Sequence, residues 1–192
     1  VPPVNQQRRD ALADAAIAIV AREGTHGLSH RSVDEAAEVP KGTTSNYFRS
    51  RDALLEATVN RVVQLHFDWI NELRAKHEGE LDRVALLGIL AQVLDDAVTL
   101  YKDRYRAMME LLLEGTRRPD LHVALAGTFG TAMDLIKDVH RAEDIEPSDR
   151  DVHMLRILYV GTLFGYIVLP ETMQALTPGE TATTIINAVL TP

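Results

Sequence analysis

Apolar residues recur along this chain at three- and four-residue intervals, the spacing that lines one face of an α-helix, and no stretch alternates with a period of two. Leu12, Ala15, Ala16, Ile19 and Val20 predict a first helix from about Arg8 to Glu23, which Gly24 stops. Ser29 is placed to cap a short second helix whose apolar residues are Val33, Ala36 and Ala37, and Pro40 ends it by disfavouring helical geometry at Val39. A third short helix is expected from about Lys41 to Phe48, after the turn Glu38-Val39-Pro40, because proline suits a first helical position. Two short helices across such a turn make a helix-turn-helix.

Ser50 is placed to cap a longer helix, running to about His77, in which Leu54, Leu55, Val59, Val62, His66, Trp69 and Leu73 form one stripe. Further helices are predicted over about 81–102, 103–114 and 119–142, the last with Leu121, Leu125, Phe129, Met133, Ile136 and Val139 inward. Ser148 and Asp151 have capping-box spacing at the start of a helix that ends near Pro170, and Thr177-Pro178-Gly179-Glu180 opens a final one. The result is an all-α chain of about nine helices. A three-helix head in residues 1–50 carries the helix-turn-helix, and a larger helical domain in residues 51–192 follows. The longest apolar run, Ile157 to Leu169, has 13 residues, too few for a membrane span, and is expected to be a buried helix.

Charge refines this picture. The net charge of −8 argues at first against nucleic acid, but residues 1–51 carry seven Lys/Arg against six Asp/Glu, so the acidity lies in the rest of the chain. Only the head is suited to approach a polyanion. Cysteine is absent, which excludes disulfides, thiolate metal sites and a cysteine nucleophile. The opening residues, Val1 to Gln6, resemble neither a signal peptide nor a transit peptide, and a cytoplasmic protein is expected.

The segment LSHRSVDEAAEVPKGTTSNYFRSRDALL, from Leu28 to Leu55, resembles the DNA-binding domain of the TetR family of ligand-responsive transcriptional repressors. The matching residues are Gly24, Gly27-Leu28, Ala36, Val39, Lys41-Gly42-Thr43, Phe48, Ser50 and Leu54-Leu55. Three positions depart from the family pattern: Glu38 where glycine is usual, Pro40 where a capping serine is usual, and Ser45 where a DNA-contacting tyrosine is common. A non-glycine in a left-handed turn costs on the order of 1 to 2 kcal/mol, so strain is expected at Glu38. With Ser45 in place of tyrosine, the phosphate contact is expected from Tyr47.

Gly42, Thr43, Thr44, Ser45, Asn46 and Tyr47 form a short polar face suited to base edges and phosphates, with Arg8, Arg9, Arg31, Lys41 and Arg51 as phosphate contacts, although a solvated helix has the same composition. The resemblance implies a palindromic double-stranded DNA operator bound by a homodimer and released by a small, mostly apolar effector, with no membrane partner. It places the effector cavity among His66, Trp69, Tyr101, Tyr105, Met108, Met109, Phe129, Met133 and Tyr159, a set that also reads as plain core. It places the dimer interface on the last two helices, at Leu155, Leu158, Gly161, Thr162, Gly165, Ile185, Ile186 and Val189; Gly161 and Gly165 equally fit close packing inside one subunit. No catalytic or metal site is expected. His26 and His30, or Asp149 and His153, sit four apart, but no His-Glu-x-x-His, glycine-rich phosphate loop or nucleophile elbow is present. A helical interaction module that does not bind DNA is the remaining alternative.

Overall fold

The computed structural model describes residues 5–76, 83–119, 121–122, 148–173 and 175–189. Among the described residues there are eight α-helices, two 3₁₀ turns and no strand. The helices are α1 (Gln6–Glu23), α2 (His30–Ala36), α3 (Thr43–Tyr47), α4 (Arg51–Ala75), α5 (Arg83–Val98), α6 (Lys102–Gly115), α7 (Asp149–Val168) and α8 (Pro178–Val189). The segment predicted as a helix over about 119–142, with Phe129 and Met133, lies almost wholly outside the described residues. The chain packs into two compact units, Val1–His66 with Asp103–Gly127, and Phe67–Lys102 with Thr128–Pro192. This division by packing falls within α4, between His66 and Phe67.

In the first unit, α1 begins two residues before the expected start because the Asn5 side chain accepts from the Arg8 N–H at 3.1 Å and caps it. Leu12, Ala16, Ile19 and Val20 of α1 are buried with Leu28, Val33, Phe48, Leu54 and Leu55. Ala36, expected inward on α2, is exposed, and Asp34 takes the buried position. Arg61 of α4 grips Asp14 of α1 with two hydrogen bonds, Nε to Oδ1 at 2.7 Å and Nη2 to Oδ2 at 3.0 Å. That fork geometry fixes orientation as well as distance.

In the second unit, α5 packs against α8 and α7. Ile70, Leu73, Ile89 and Val93 form one core cluster, joined by Phe67, Trp69, Leu90 and Tyr159. Val152 and Leu155 form another, covered by Leu90, Ile185 and Val189. Both expected capping boxes are present. Ser148 and Asp151 exchange bonds at the start of α7, and Thr177 and Glu180 do so at α8.

The apolar run in α7 is not the buried helix that its composition predicts. Ile157 is 61% exposed, Val168 47%, Phe164 43% and Met154 40%. Gly161, where an added β-carbon would find no atom within 4 Å, falls in the same series, at intervals of three, four, three and four. These residues therefore share one face, while Val152, Leu155, Leu163 and Ile167 are buried on the other.

Candidate functional site

A five-residue helix has too few internal hydrogen bonds to persist alone. α3 is held from outside at both ends. The buried Asp34 of α2 accepts from Gly42 N at 2.7 Å, from Thr44 N at 2.7 Å and from the Thr44 hydroxyl at 2.6 Å, so one carboxylate caps the start of α3. Burial by itself raises the Asp34 pKa. The bonds from Thr44 and Gly42, helped by the field of His30, outweigh it and hold the carboxyl below its ordinary value. At the other end, His30 Nε2 donates to the Phe48 carbonyl at 2.7 Å and Arg9 donates to the Tyr47 carbonyl at 3.3 Å. The Arg9 guanidinium also lies 4.6 Å from the centre of the Phe48 ring.

The connecting turn carries two left-handed residues, Glu38 at φ 53° and Gly42 at φ 89°. The strain expected at Glu38 is therefore present. A side chain at Gly42 would meet only the Ser45 hydroxyl, at 4.0 Å, so this glycine is required by backbone conformation rather than by crowding.

Thr43, Asn46 and Tyr47 share the outward face of α3, bordered by Ser45, Gly42 and Lys41. The Thr43 and Ser45 hydroxyls donate back to the carbonyls of Pro40 and Gly42, which orients them along the turn. Thr44 must be removed from the expected reading face. It is 0% exposed, with its hydroxyl committed to Asp34.

Arg51, expected as a phosphate ligand, is exposed but partly engaged within the chain. Its Nη2 donates to the Thr25 carbonyl at 2.6 Å and its Nε to the Leu28 carbonyl at 3.2 Å, so it fastens the start of α4 to the preceding 3₁₀ turn. Arg9 is likewise occupied with Tyr47 and Phe48. Arg31 is exposed and paired with Glu35 at 2.9 Å, a surface contact worth about 0 to 1 kcal/mol and readily exchanged for phosphate. Arg8, Lys41 and Arg49 are exposed and make no side-chain hydrogen bond or ion pair among the described residues. Arg49 is absent from the expected set. Its only sequence signal is a position between α3 and α4, and its availability emerges only once the neighbouring arginines are seen to be engaged.

The expected effector residues fall into two groups. In the first unit, His66 Nδ1 and the Tyr105 hydroxyl are 2.6 Å apart, with Tyr105, Met108 and Met109 buried. Burial, then the nearby Arg104, lowers the His66 pKa to about 4, so its ring is neutral. In the second unit, Trp69 meets the edge of Tyr101 with ring centres 5.3 Å apart, and Tyr159 packs on the Ile70–Val93 cluster. Burial raises the Tyr159 pKa and keeps the phenol protonated. A separate hollow of about 370 Å³, lined by Ser50, Asp52, Ala53, Glu56, Arg118 and Leu121, contains none of the expected effector residues.

The expected interface residues divide as well. Leu155 and Thr162 are buried within the chain, and Ile185 and Val189 pack on Leu155. Gly165 is filled from its own subunit, since a β-carbon there would lie 2.9 Å from Met173 Sδ. Gly161 alone of the two glycines faces open space. Leu158 is half-buried, and the Ile186 side chain lies outside the described set.

An all-helical chain whose short, externally capped third helix presents a polar face belongs among the helix-turn-helix regulators. Comparison with known proteins narrows the class. A family profile described as "Bacterial regulatory proteins, tetR family" matches residues 12–58, and one described as "Tetracyclin repressor-like, C-terminal domain" matches residues 81–192. This chain belongs to the TetR family. It is similar along its length to an uncharacterized HTH-type transcriptional regulator in the dhlA 5′ region of Xanthobacter autotrophicus, at 22% identity over 96% of this chain and 93% of that protein. Its likeness to the HTH-type transcriptional regulator BetI of Escherichia coli, at 34% identity over 77 residues, spans 40% of each chain. A solved structure of the multidrug binding protein EbrR complexed with ethidium aligns with TM-score 0.71 and 25% identity, over 95% of this chain and 98% of that one.

Proposed function

We propose that this protein is a cytoplasmic transcriptional repressor that binds a palindromic double-stranded DNA operator as a homodimer and is released by a small, mostly apolar effector. The observation that carries the DNA-binding reading is the anchoring of α3. Asp34, His30 and Arg9 hold a five-residue helix rigidly enough to present Thr43, Ser45, Asn46 and Tyr47 together, with Lys41, Arg8 and Arg49 as available cations. The first three side chains match base edges, and the cations match the flanking phosphates.

The exposed stripe Met154, Ile157, Gly161, Phe164 and Val168 supports the homodimer. An apolar face of that regularity suits a second copy of the same helix, with Gly161 allowing close approach. Asp149, Arg150, Asp151 and Arg156 on the same helix favour a protein partner over a membrane. A two-fold dimer spaces its recognition helices by about 34 to 36 Å, so a ligand that prefers dimers of another spacing lowers DNA affinity by that preference. The ethidium complex of EbrR and the aromatic Trp69, Tyr101 and Tyr159 support the effector reading.

The direct test is fluorescence anisotropy with an operator taken from an inverted repeat upstream of the gene. Tyr47→Ala and Lys41→Ala should each weaken binding about tenfold or more, with helicity and dimer mass unchanged, a hydrogen bond to a charged group such as phosphate being worth about 1.5 to 3 kcal/mol. Unchanged affinity in both variants would remove α3 from the interface.

A further inference from the structure

Asp96 stands in the last turn of α5 and is only 3% exposed. Its Oδ1 accepts from Gln92 Nε2 at 2.9 Å, while Oδ2 is buried with no hydrogen-bond partner among the described residues. This is an unfavourable place for an uncompensated carboxylate. Water is excluded, and the C-terminal end of a helix already carries negative partial charge.

Ile89, Val93 and Asp96 follow intervals of four and three, so they share one face of α5. Ile89 and Val93 belong with Ile70 and Leu73 to the core cluster against which Trp69 and Tyr159 pack. The Trp69 ring meets Tyr101, and the Tyr101 backbone N–H donates to the Asp96 carbonyl at 2.8 Å, which ties the aromatic pair to the turn that carries Asp96. Trp69 Nε1 and the Tyr159 hydroxyl are themselves buried without hydrogen-bond partners among the described residues. Trp69 and Tyr159 thus border the same core cluster to which Asp96's face of α5 contributes Ile89 and Val93.

We propose that Asp96, Trp69 and Tyr159 form the polar part of the effector site, and that the effector is an apolar-bodied amine whose ammonium N–H donates to Asp96 Oδ2. The inference rests on the ligand-responsive reading above and adds the chemistry of the ligand. An ionised carboxylate only accepts and an indole only donates, whereas a phenol does both. The occupant therefore supplies a donor to Asp96 and is best completed by an acceptor for Trp69. An alcohol offers Asp96 Oδ2 a donor alone, whereas an ammonium offers a donor and a positive charge. The indole is already suited to a cation, because Lys76 Nζ lies 5.1 Å from its ring centre.

The test is calorimetric titration of the full chain with two probes of nearly identical shape, naphthylmethylammonium and the neutral naphthylmethanol. The ammonium should bind at least tenfold tighter, and Asp96→Asn should abolish that advantage while leaving naphthylmethanol within about twofold. Equal affinities in the wild-type protein, no binding by either probe, or an advantage that survives Asp96→Asn would overturn the proposal. The wild-type comparison needs no variant, so a folding defect in Asp96→Asn would not obscure the answer. Operator affinity separates this site from the function it rests on. An ammonium that binds through Asp96 and leaves operator affinity unchanged counts against the effector role and for the site. Release of operator by naphthylmethanol alone counts the other way.

Discussion

Glu38 holds a backbone conformation, φ 53°, that glycine adopts without a steric penalty. Replacing it with glycine should relieve about 1 kcal/mol of strain and raise the melting temperature. It should also strengthen DNA binding by removing an exposed negative charge from the turn beside α3. A melting curve and an operator titration check the two halves independently. His66 gives a pH signature. Its folded pKa of about 4 lies below the ordinary value of 6.5, so the unfolded chain binds a proton more readily, and the contribution of this group is complete above 6.5 and lost as pH falls toward 4. Between about pH 7 and pH 5 the loss is about 2 kcal/mol by that linkage. Urea unfolding of His66→Gln at the two pH values should show a correspondingly smaller decline than wild type. Thr44 illustrates what the residue scale conceals in a sequence. Thr43 to Tyr47 are five consecutive polar residues, and which of them turns inward depends on Asp34, which stands on another helix.

At the scale of elements, α7 carries the clearest prediction. Ile157 lies on the exposed stripe, and in a symmetric dimer each substitution acts twice. Ile157→Glu should raise the dimer dissociation constant about a hundredfold or more, since burying each isoleucine is worth roughly 1.5 to 3 kcal/mol. Analytical ultracentrifugation should find monomer at micromolar concentration with helicity retained. Gly165→Leu should behave differently, lowering stability through Met173 before it affects association. Capping signals made the ends of α2, α4, α7 and α8 readable, because Ser29, Ser50, Ser148 and Thr177 act on backbone only a few residues away. The facing of α7 was not readable. A 13-residue run with apolar side chains all round has no period that distinguishes a core face from an interface face.

For the molecule as a whole, salt dependence tests the two-headed arrangement. Each phosphate contact contributes about −0.9 to the slope of log affinity against log salt concentration. Lys41→Ala removes one contact from each head, so the slope of a dimer should become shallower by about 2, against about 1 for a single head bound alone. The acidic remainder of the chain should leave sequence-independent affinity low, with the heads supplying the attraction.

The all-α class, the helix-turn-helix and its family were determined by the sequence alone, because each rests on local spacing: apolar residues every three or four positions, caps beside helix starts, and a motif within Leu28 to Leu55. The assignment of individual side chains was decided by tertiary structure. Arg51 and Arg9 resemble any surface arginine until the carbonyls of Thr25, Leu28 and Tyr47 are brought beside them. Asp96 resembles a solvated helix residue until the fold leaves it only 3% exposed. Contacts between residues distant in the chain determine which polar atoms are satisfied and which apolar faces are left uncovered. Local spacing carries no information about either.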